Sequence, residues 1–160
     1  MIKIESLAND PIELDLASLI NANLSGLNLH RALLSGMNLS RAVIEKTDLR
    51  SAEMEGVNLS YANLSGSTLI NAWLLNSNLS NARCVSAMFN GANLENALLI
   101  DADLTDADVW GVNFKNAKLN GANMNCKRIE EADFSGAQFD EHTKWPPSFN
   151  PAERGAIISK

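Results

Sequence analysis

Apolar residues recur along this chain every five positions. Counted from Leu14, the fifth residue is apolar at 26 successive steps ending at Phe139. The residue two before each of these centres is alanine at 17 of the 26 steps; the exceptions are Ile12, Leu27, Met37, Thr47, Val57, Ser67, Ser77, Val112 and Lys127. Asn, Asp, Ser and Gly fill most of the positions between. A helix requires apolar spacings of three and four, and a half-buried strand requires strict alternation. A spacing of two and then three fits neither. It describes a short extended piece with two inward side chains, followed at once by a tight turn whose residues bond their own backbone or tolerate unusual dihedrals.

Four such sides close a square circuit of 20 residues, and coils stacked like strands lie ~4.8 Å apart. The repeats then make about 6.5 coils and a rod roughly 31 Å long. Centres 20 apart form four internal ladders, such as Leu24, Ile44, Leu64, Cys84, Leu104 and Met124. Each fully buried Leu or Phe contributes about 1.5–3 kcal/mol, and alanine beside it is what a narrow lumen accommodates. Lys127 is the one charged residue in the inward slot. An enclosed, unpaired ammonium is costly, which leaves two arrangements. The last coil widens and the amine reaches water or Glu130, Glu131 or Asp140, or a bulge at 126–128 turns Lys127 outward and a neighbour fills the slot.

Ala22-Asn23-Leu24-Ser25-Gly26, Ala62-Asn63-Leu64-Ser65-Gly66 and Ala102-Asp103-Leu104-Thr105-Asp106 follow an A-(D/N)-L-x-x pattern. With the register unbroken over about 130 of the 160 residues, the chain resembles the pentapeptide repeat proteins. The resemblance implies an all-β fold, a right-handed quadrilateral β-helix, with the handedness taken from the family. Open rod ends expose lumen and strand edges, so solenoids need caps. The expected organisation is an N-terminal cap at 1–11, through Ile2, Ile4 and Leu7, a repeat solenoid at 12–141 and a C-terminal cap or tail at 142–160. In the last segment Trp145 and Phe149 are expected to pack over Phe134 and Phe139. Its Thr-Lys-aromatic-Pro run is similar to the tail of cyanobacterial-type members.

Composition and charge act mainly by exclusion. No apolar run approaches the ~20 residues that span a bilayer, and the start lacks a basic patch followed by an apolar stretch. A cytoplasmic chain without a membrane partner is expected. The net charge of −6 argues against direct nucleic-acid binding. Two cysteines make no disulfide framework. Cys84 points inward, and Cys126 is read as a corner residue two coils on, ~10 Å away along the rod and beyond the ~7 Å Cα limit for a bridge. His30 and His142 lie at opposite ends, and nucleophile and phosphate-loop motifs are missing. Asp101, Asp103, Asp106 and Asp108 lack the glycine and glutamate of a calcium loop and fall in ordinary turn positions. No catalytic residue, metal or cofactor is expected, and the chain is read as a non-enzyme.

Against a polar exterior, Ile70, Trp73, Leu75, Met88 and Trp110 are apolar and outward. Ile70, Trp73 and Leu75 are read as flanking one corner, with Met88 one coil above. A contiguous patch of this kind marks an interface, so these five residues form the candidate protein-interaction surface. The expected function is a non-enzymatic, rod-like structural or protein-interaction module, a monomer or weak dimer, with an unidentified protein partner. The alternative comes from the resemblance: some pentapeptide repeat proteins mimic duplex DNA and protect a type II topoisomerase, DNA gyrase. Charge weighs against it. A duplex carries one negative charge per ~1.7 Å, roughly 18 over ~31 Å. Residues 14–139 hold 13 Asp plus Glu and 9 Lys plus Arg, a net of −4.

Overall fold

Each five-residue step forms one side of a square coil in the computed structural model, which describes residues 1–159. The middle residue of each inward triplet pairs in parallel with the residue 20 positions on, as in Asn23 with Val43, Val43 with Asn63 and Asn63 with Arg83. Every N–H of a regular step is accounted for. The Val43 N–H donates to the Ala22 carbonyl one coil below (2.8 Å), and the Leu24 N–H donates to the Val43 carbonyl one coil above (2.8 Å). At the corner, the Asn21 N–H donates to the Ser40 carbonyl (3.0 Å), and the Ala22 N–H closes its own turn on the Leu19 carbonyl (3.1 Å). The remaining N–H, that of the residue after the centre, donates to the Asn or Asp side chain two residues earlier, as from Ser25 to Asn23 Oδ1 (3.1 Å) and from Thr105 to Asp103 Oδ1 (3.1 Å). The Asn/Asp preference thus satisfies a donor that the stacked backbone leaves over.

The corner residue two after each centre has positive φ at every step from Asn21 to Gly121. An i→i+3 bond with a left-handed third residue is the type II turn, which favours Gly and Asn there. The rod nevertheless places Arg31, Arg41, Lys46 and Tyr61 at such corners. Gly121 differs from Gly111 in what faces it, the tip of the exposed Asp101 side chain one coil below. A Cβ added there would collide with Asp101 Oδ1, whereas one at Gly111 meets nothing within 4 Å.

Every centre from Leu19 to Phe134 is buried, while Leu14 and Phe139 at the two ends are half-buried. Side-chain volume is traded between inward positions. One slot column shrinks along the rod as Met37, Val57, Ser77, Ala97, Ala117 and Ala137, while the neighbouring centres grow from Leu34 and Met54 to Phe114 and Phe134. Those two rings stack at 5.1 Å with 10° between planes, which keeps the lumen filled.

Both ends depart from the sequence reading. At the start, β1 (Ile2–Ile4) pairs antiparallel with β2 (Ile12–Leu14), and Ser6 bridges Ala32. Ile4 is buried and covers the lumen, but Leu7 is 54% exposed and plugs nothing, and Ala17 is exposed rather than inward. At the far end the coil does not stop at residue 141. Thr143-Lys144-Trp145 continues it, with Lys144 paired to Asn123 at a spacing of 21, one residue more than the regular step. Thr143 fills the inward slot and donates its hydroxyl to the Leu119 carbonyl (3.0 Å). Asp140 absorbs the extra residue: its Oδ1 accepts the N–H of Gly121 (2.9 Å), His142 (3.1 Å) and Thr143 (3.1 Å). A last rung follows where β4 (Ile157–Ile158) pairs in parallel with β3 (Gln138–Phe139).

Lys127 adopts the second of the two arrangements. It faces outward and pairs with Asp108 at a spacing of 19, and Cys126 takes the inward slot. Cys126 is therefore not a corner residue: its thiol donates to the Leu104 carbonyl (3.4 Å). A 3₁₀ turn at Ile129–Glu131 then restores the register, so that Ile129 is buried and Asn113 pairs with Asp133.

Candidate interaction surface

Stacking by 20 converts outward residues into columns. Trp73 stands in the middle of one side, in the column Leu33, Glu53, Trp73, Asn93, Asn113, Asp133. The residues after the centres, Ile70 and Leu75, sit at the two ends of that side. They do not flank one corner, because one five-residue step separates them, which is one full side of the square. Trp73 is 57% exposed, and Ile70 and Leu75 are half-buried. Met88 is exposed on the adjoining side, above Thr68. Trp110 lies in the same corner column as Ile70, two coils further along, and is 49% exposed.

Trp73 has a depression on each side of it. One is lined by Ser35, Glu53, Glu55, Trp73 and Leu75. The other has a flat polar floor, where Asn71, Asn93 and Asn113 adjoin Gly91 and Gly111. The Asn113 amide donates to Asn93 Oδ1 (3.1 Å) and to Glu95 Oε2 (3.3 Å), which fixes that strip.

Trp110 is less available than its exposure suggests. The Arg128 guanidinium lies over its ring, 5.8 Å from the centroid, and the Arg128 Nε donates to Asp108 (2.8 Å). That pairing holds the Asp108 carboxyl below its ordinary value. A third exposed aromatic, Tyr61, lies outside the patch read from the sequence. It carries Arg41 over its ring at 5.0 Å. The signal was present, since Arg41 and Tyr61 are 20 apart and occupy left-handed corners stacked one coil apart.

Trp145 and Phe149 lie at the C-terminal end, half-buried and stacked on one another (5.3 Å). Trp145 packs edge-on against Phe134 (5.5 Å) and Phe139 (5.7 Å), and Phe149 packs against Phe134 (5.5 Å).

The reactive side chains serve the fold. Burial pushes the Cys84 thiol up to about 12 and raises that of Cys126 as well. Asp103 and Asp108 occupy side positions and accept turn N–H groups, and Asp101 and Asp106 occupy left-handed corners. Among the described residues no group of three His, Cys, Asp or Glu side chains is placed to hold a metal ion. No helix among them is long and apolar enough to cross a membrane.

The profile of the pentapeptide repeats family matches the chain in eight copies, over residues 13–36, 38–74, 58–96, 77–116 and 97–136. No curated protein matches it in sequence. Among solved structures it is similar to a pentapeptide repeat protein from the Arabidopsis thaliana thylakoid lumen, with TM-score 0.56 and 27% identity over 63% of this chain and 67% of that one. It is also similar to a trypsin-treated variant of QnrB1, a plasmid-mediated fluoroquinolone resistance protein, with TM-score 0.59 and 10% identity over 88% and 92% of the two chains. At that identity the likeness is one of fold alone.

Proposed function

The chain belongs to the pentapeptide repeat family of right-handed quadrilateral β-helices, and from that premise we propose that it acts as a rigid, non-catalytic rod that presents the side bearing Trp73 to a protein partner. The observation that carries this reading is Trp73 itself. It is a large aromatic, 57% exposed, in a column otherwise made of the half-buried Leu33 at its start and the polar Glu53, Asn93, Asn113 and Asp133. It is flanked by Ile70 and Leu75, and the backbone beneath it is tied to the coil below through both its N–H and its carbonyl. The Trp73 N–H donates to the Ala52 carbonyl (3.0 Å), and the Trp73 carbonyl accepts from the Met54 N–H (2.8 Å). An aromatic anchor on a rigid base binds without an ordering cost, the character of an interface hot spot.

Charge weighs against a duplex-mimicking gyrase ligand. The net of −4 over residues 14–139 is several-fold short of duplex density, and Asp48 and Asp108 are already paired with Arg50 and Arg128. The test is affinity capture with the wild-type chain and Trp73→Ala in parallel. A partner retained by the first and lost by the second, at equal melting temperature, supports the reading. Equal capture by both refutes it.

A further inference from the structure

We propose that the groove below Trp73 receives an arginine side chain from the partner. This inference deepens the docking reading and rests on it. The rod itself supplies the pattern. Among the described residues three aromatic rings stand exposed on its sides and corners: Tyr61, Trp73 and Trp110. Two of them are covered by a guanidinium from the same chain, Arg41 over Tyr61 and Arg128 over Trp110. At Trp110 the arrangement has three parts, because Asp108 grips the guanidinium that lies on the indole.

Trp73 has the indole and the carboxylates of that arrangement but, among the described residues, no cation over its ring. Glu53 lies directly below it in the column, and Glu55 lies directly below Leu75. Both glutamates are exposed, and neither takes part in an ion pair among the described residues. Ser35, Glu53, Glu55, Trp73 and Leu75 line a common groove. One coil, ~4.8 Å, separates the two carboxylates from the two apolar groups. A guanidinium fits this set better than an ammonium. It is planar, stacks on an indole face, is weakly hydrated and donates in a fork to carboxylates, while its aliphatic stem lies on apolar surface such as Leu75. The arginine nearest along the chain, Arg50, is committed elsewhere: it is bonded through Nε and Nη2 to Asp48 on the adjoining side.

The experiment is an NMR titration of the full chain with the capped peptides acetyl-Gly-Arg-Gly-amide and acetyl-Gly-citrulline-Gly-amide, which differ only in the replacement of one cationic NH2 group by a neutral carbonyl oxygen. The expected result is saturable shifts with the arginine peptide at the Trp73 indole N–H and the amides of Glu53 and Glu55. Binding should be about tenfold weaker with citrulline and about tenfold weaker in the Glu53→Gln/Glu55→Gln double variant. Melting temperature should not move, because both glutamates are exposed and unpaired. Equal shifts from both peptides, or shifts centred on other carboxylates such as Asp103 and Asp106, overturn the proposal. The two readings separate cleanly. A partner whose capture depends on Trp73 but is unchanged by the double glutamine variant leaves the docking surface standing and removes the arginine. Loss of that same partner from the double variant supports both.

Discussion

Ser67 and Ser77 occupy the same inward slot on opposite sides of the rod, and both are fully buried, yet replacing each by alanine should move stability in opposite directions. The Ser67 hydroxyl is inserted into the turn below it. Elsewhere the slot N–H closes on the preceding centre, but here the Thr47 N–H donates to Ser67 Oγ (3.4 Å), and that hydroxyl in turn donates to the Ile44 carbonyl. Ser67→Ala therefore leaves a buried N–H and a buried carbonyl to find one another by closing the turn. A lost hydrogen bond costs about 0.5–1.5 kcal/mol, and more if either group stays unpaired. Ser77 has an intact turn, its N–H 3.2 Å from the Leu74 carbonyl, and a buried hydroxyl with no partner. Ser77→Ala removes that unpaired group and restores the residue most common in the slot, so it should be neutral or stabilising by about 1 kcal/mol. The gap between the variants is about 2 kcal/mol. For a chain of this length that separates melting temperatures by about 4–8 °C. Thermal melts followed by circular dichroism, with urea m-values to confirm unchanged exposed area, decide it. If Ser77→Ala loses as much as Ser67→Ala, or if Ser67→Ala loses nothing, the hydrogen-bond account of the lumen is wrong.

Leu64→Asp places a charge in a dry ladder and should abolish cooperative folding, whereas Ser65→Asp one residue later should stay within about 0.5 kcal/mol of wild type in a melt. Gly121→Ala and Gly111→Ala should match in stability to within about 0.5 kcal/mol in a melt, because φ is positive at both (71 and 64) and the exposed Asp101 carboxylate that a Cβ at Gly121 would meet is free to swing away; a larger loss at Gly121 would show that Asp101 cannot yield. Cys126→Lys should be severely destabilising and Lys127→Ala neutral within about 0.5 kcal/mol, whereas an uninterrupted five-residue register would make the first a tolerated corner change and the second stabilising. Asp140 is held below its ordinary carboxylate value by the Gly121 N–H, with Thr143 and His142 adding to it. Its contribution is present above the unfolded value of 3.8 and is lost as pH falls through the lower folded value; Asp140→Asn should flatten the acid limb of melting temperature against pH, and an unchanged limb would show that the carboxylate does not hold the C-terminal rung.

The regular coils were legible in the sequence because every step imposes the same demands: two inward side chains, one donor for the Asn or Asp to accept, one left-handed corner. The departures were hidden by compensation. Between Asp108 and Lys127 a residue is lost, and the 3₁₀ turn at Ile129–Glu131 regains it before Asp133. A count by fives therefore places Met124 and Phe134 correctly on either side of a slip it does not see. The extra residue after Phe139 has no later repeat to expose it, so the rung Thr143-Lys144-Trp145 read as tail.

The outward side position obeys a different logic, and it is where sequence and function part from the fold. Its N–H and carbonyl both bond to the coil below whatever side chain it carries. Asn63, Arg83, Asp103 and Asn123 succeed one another in one column, and Thr68, Met88 and Asp108 in another, without a change in pairing. Folding therefore does not require an aromatic at Trp73. Asparagine in its place would in addition accept the turn N–H, as Asn93 does from Glu95 (3.1 Å). Trp73 gives up that bond and exposes an indole to water. Neither choice helps the rod stand, and that is the physical ground on which docking at this side is proposed.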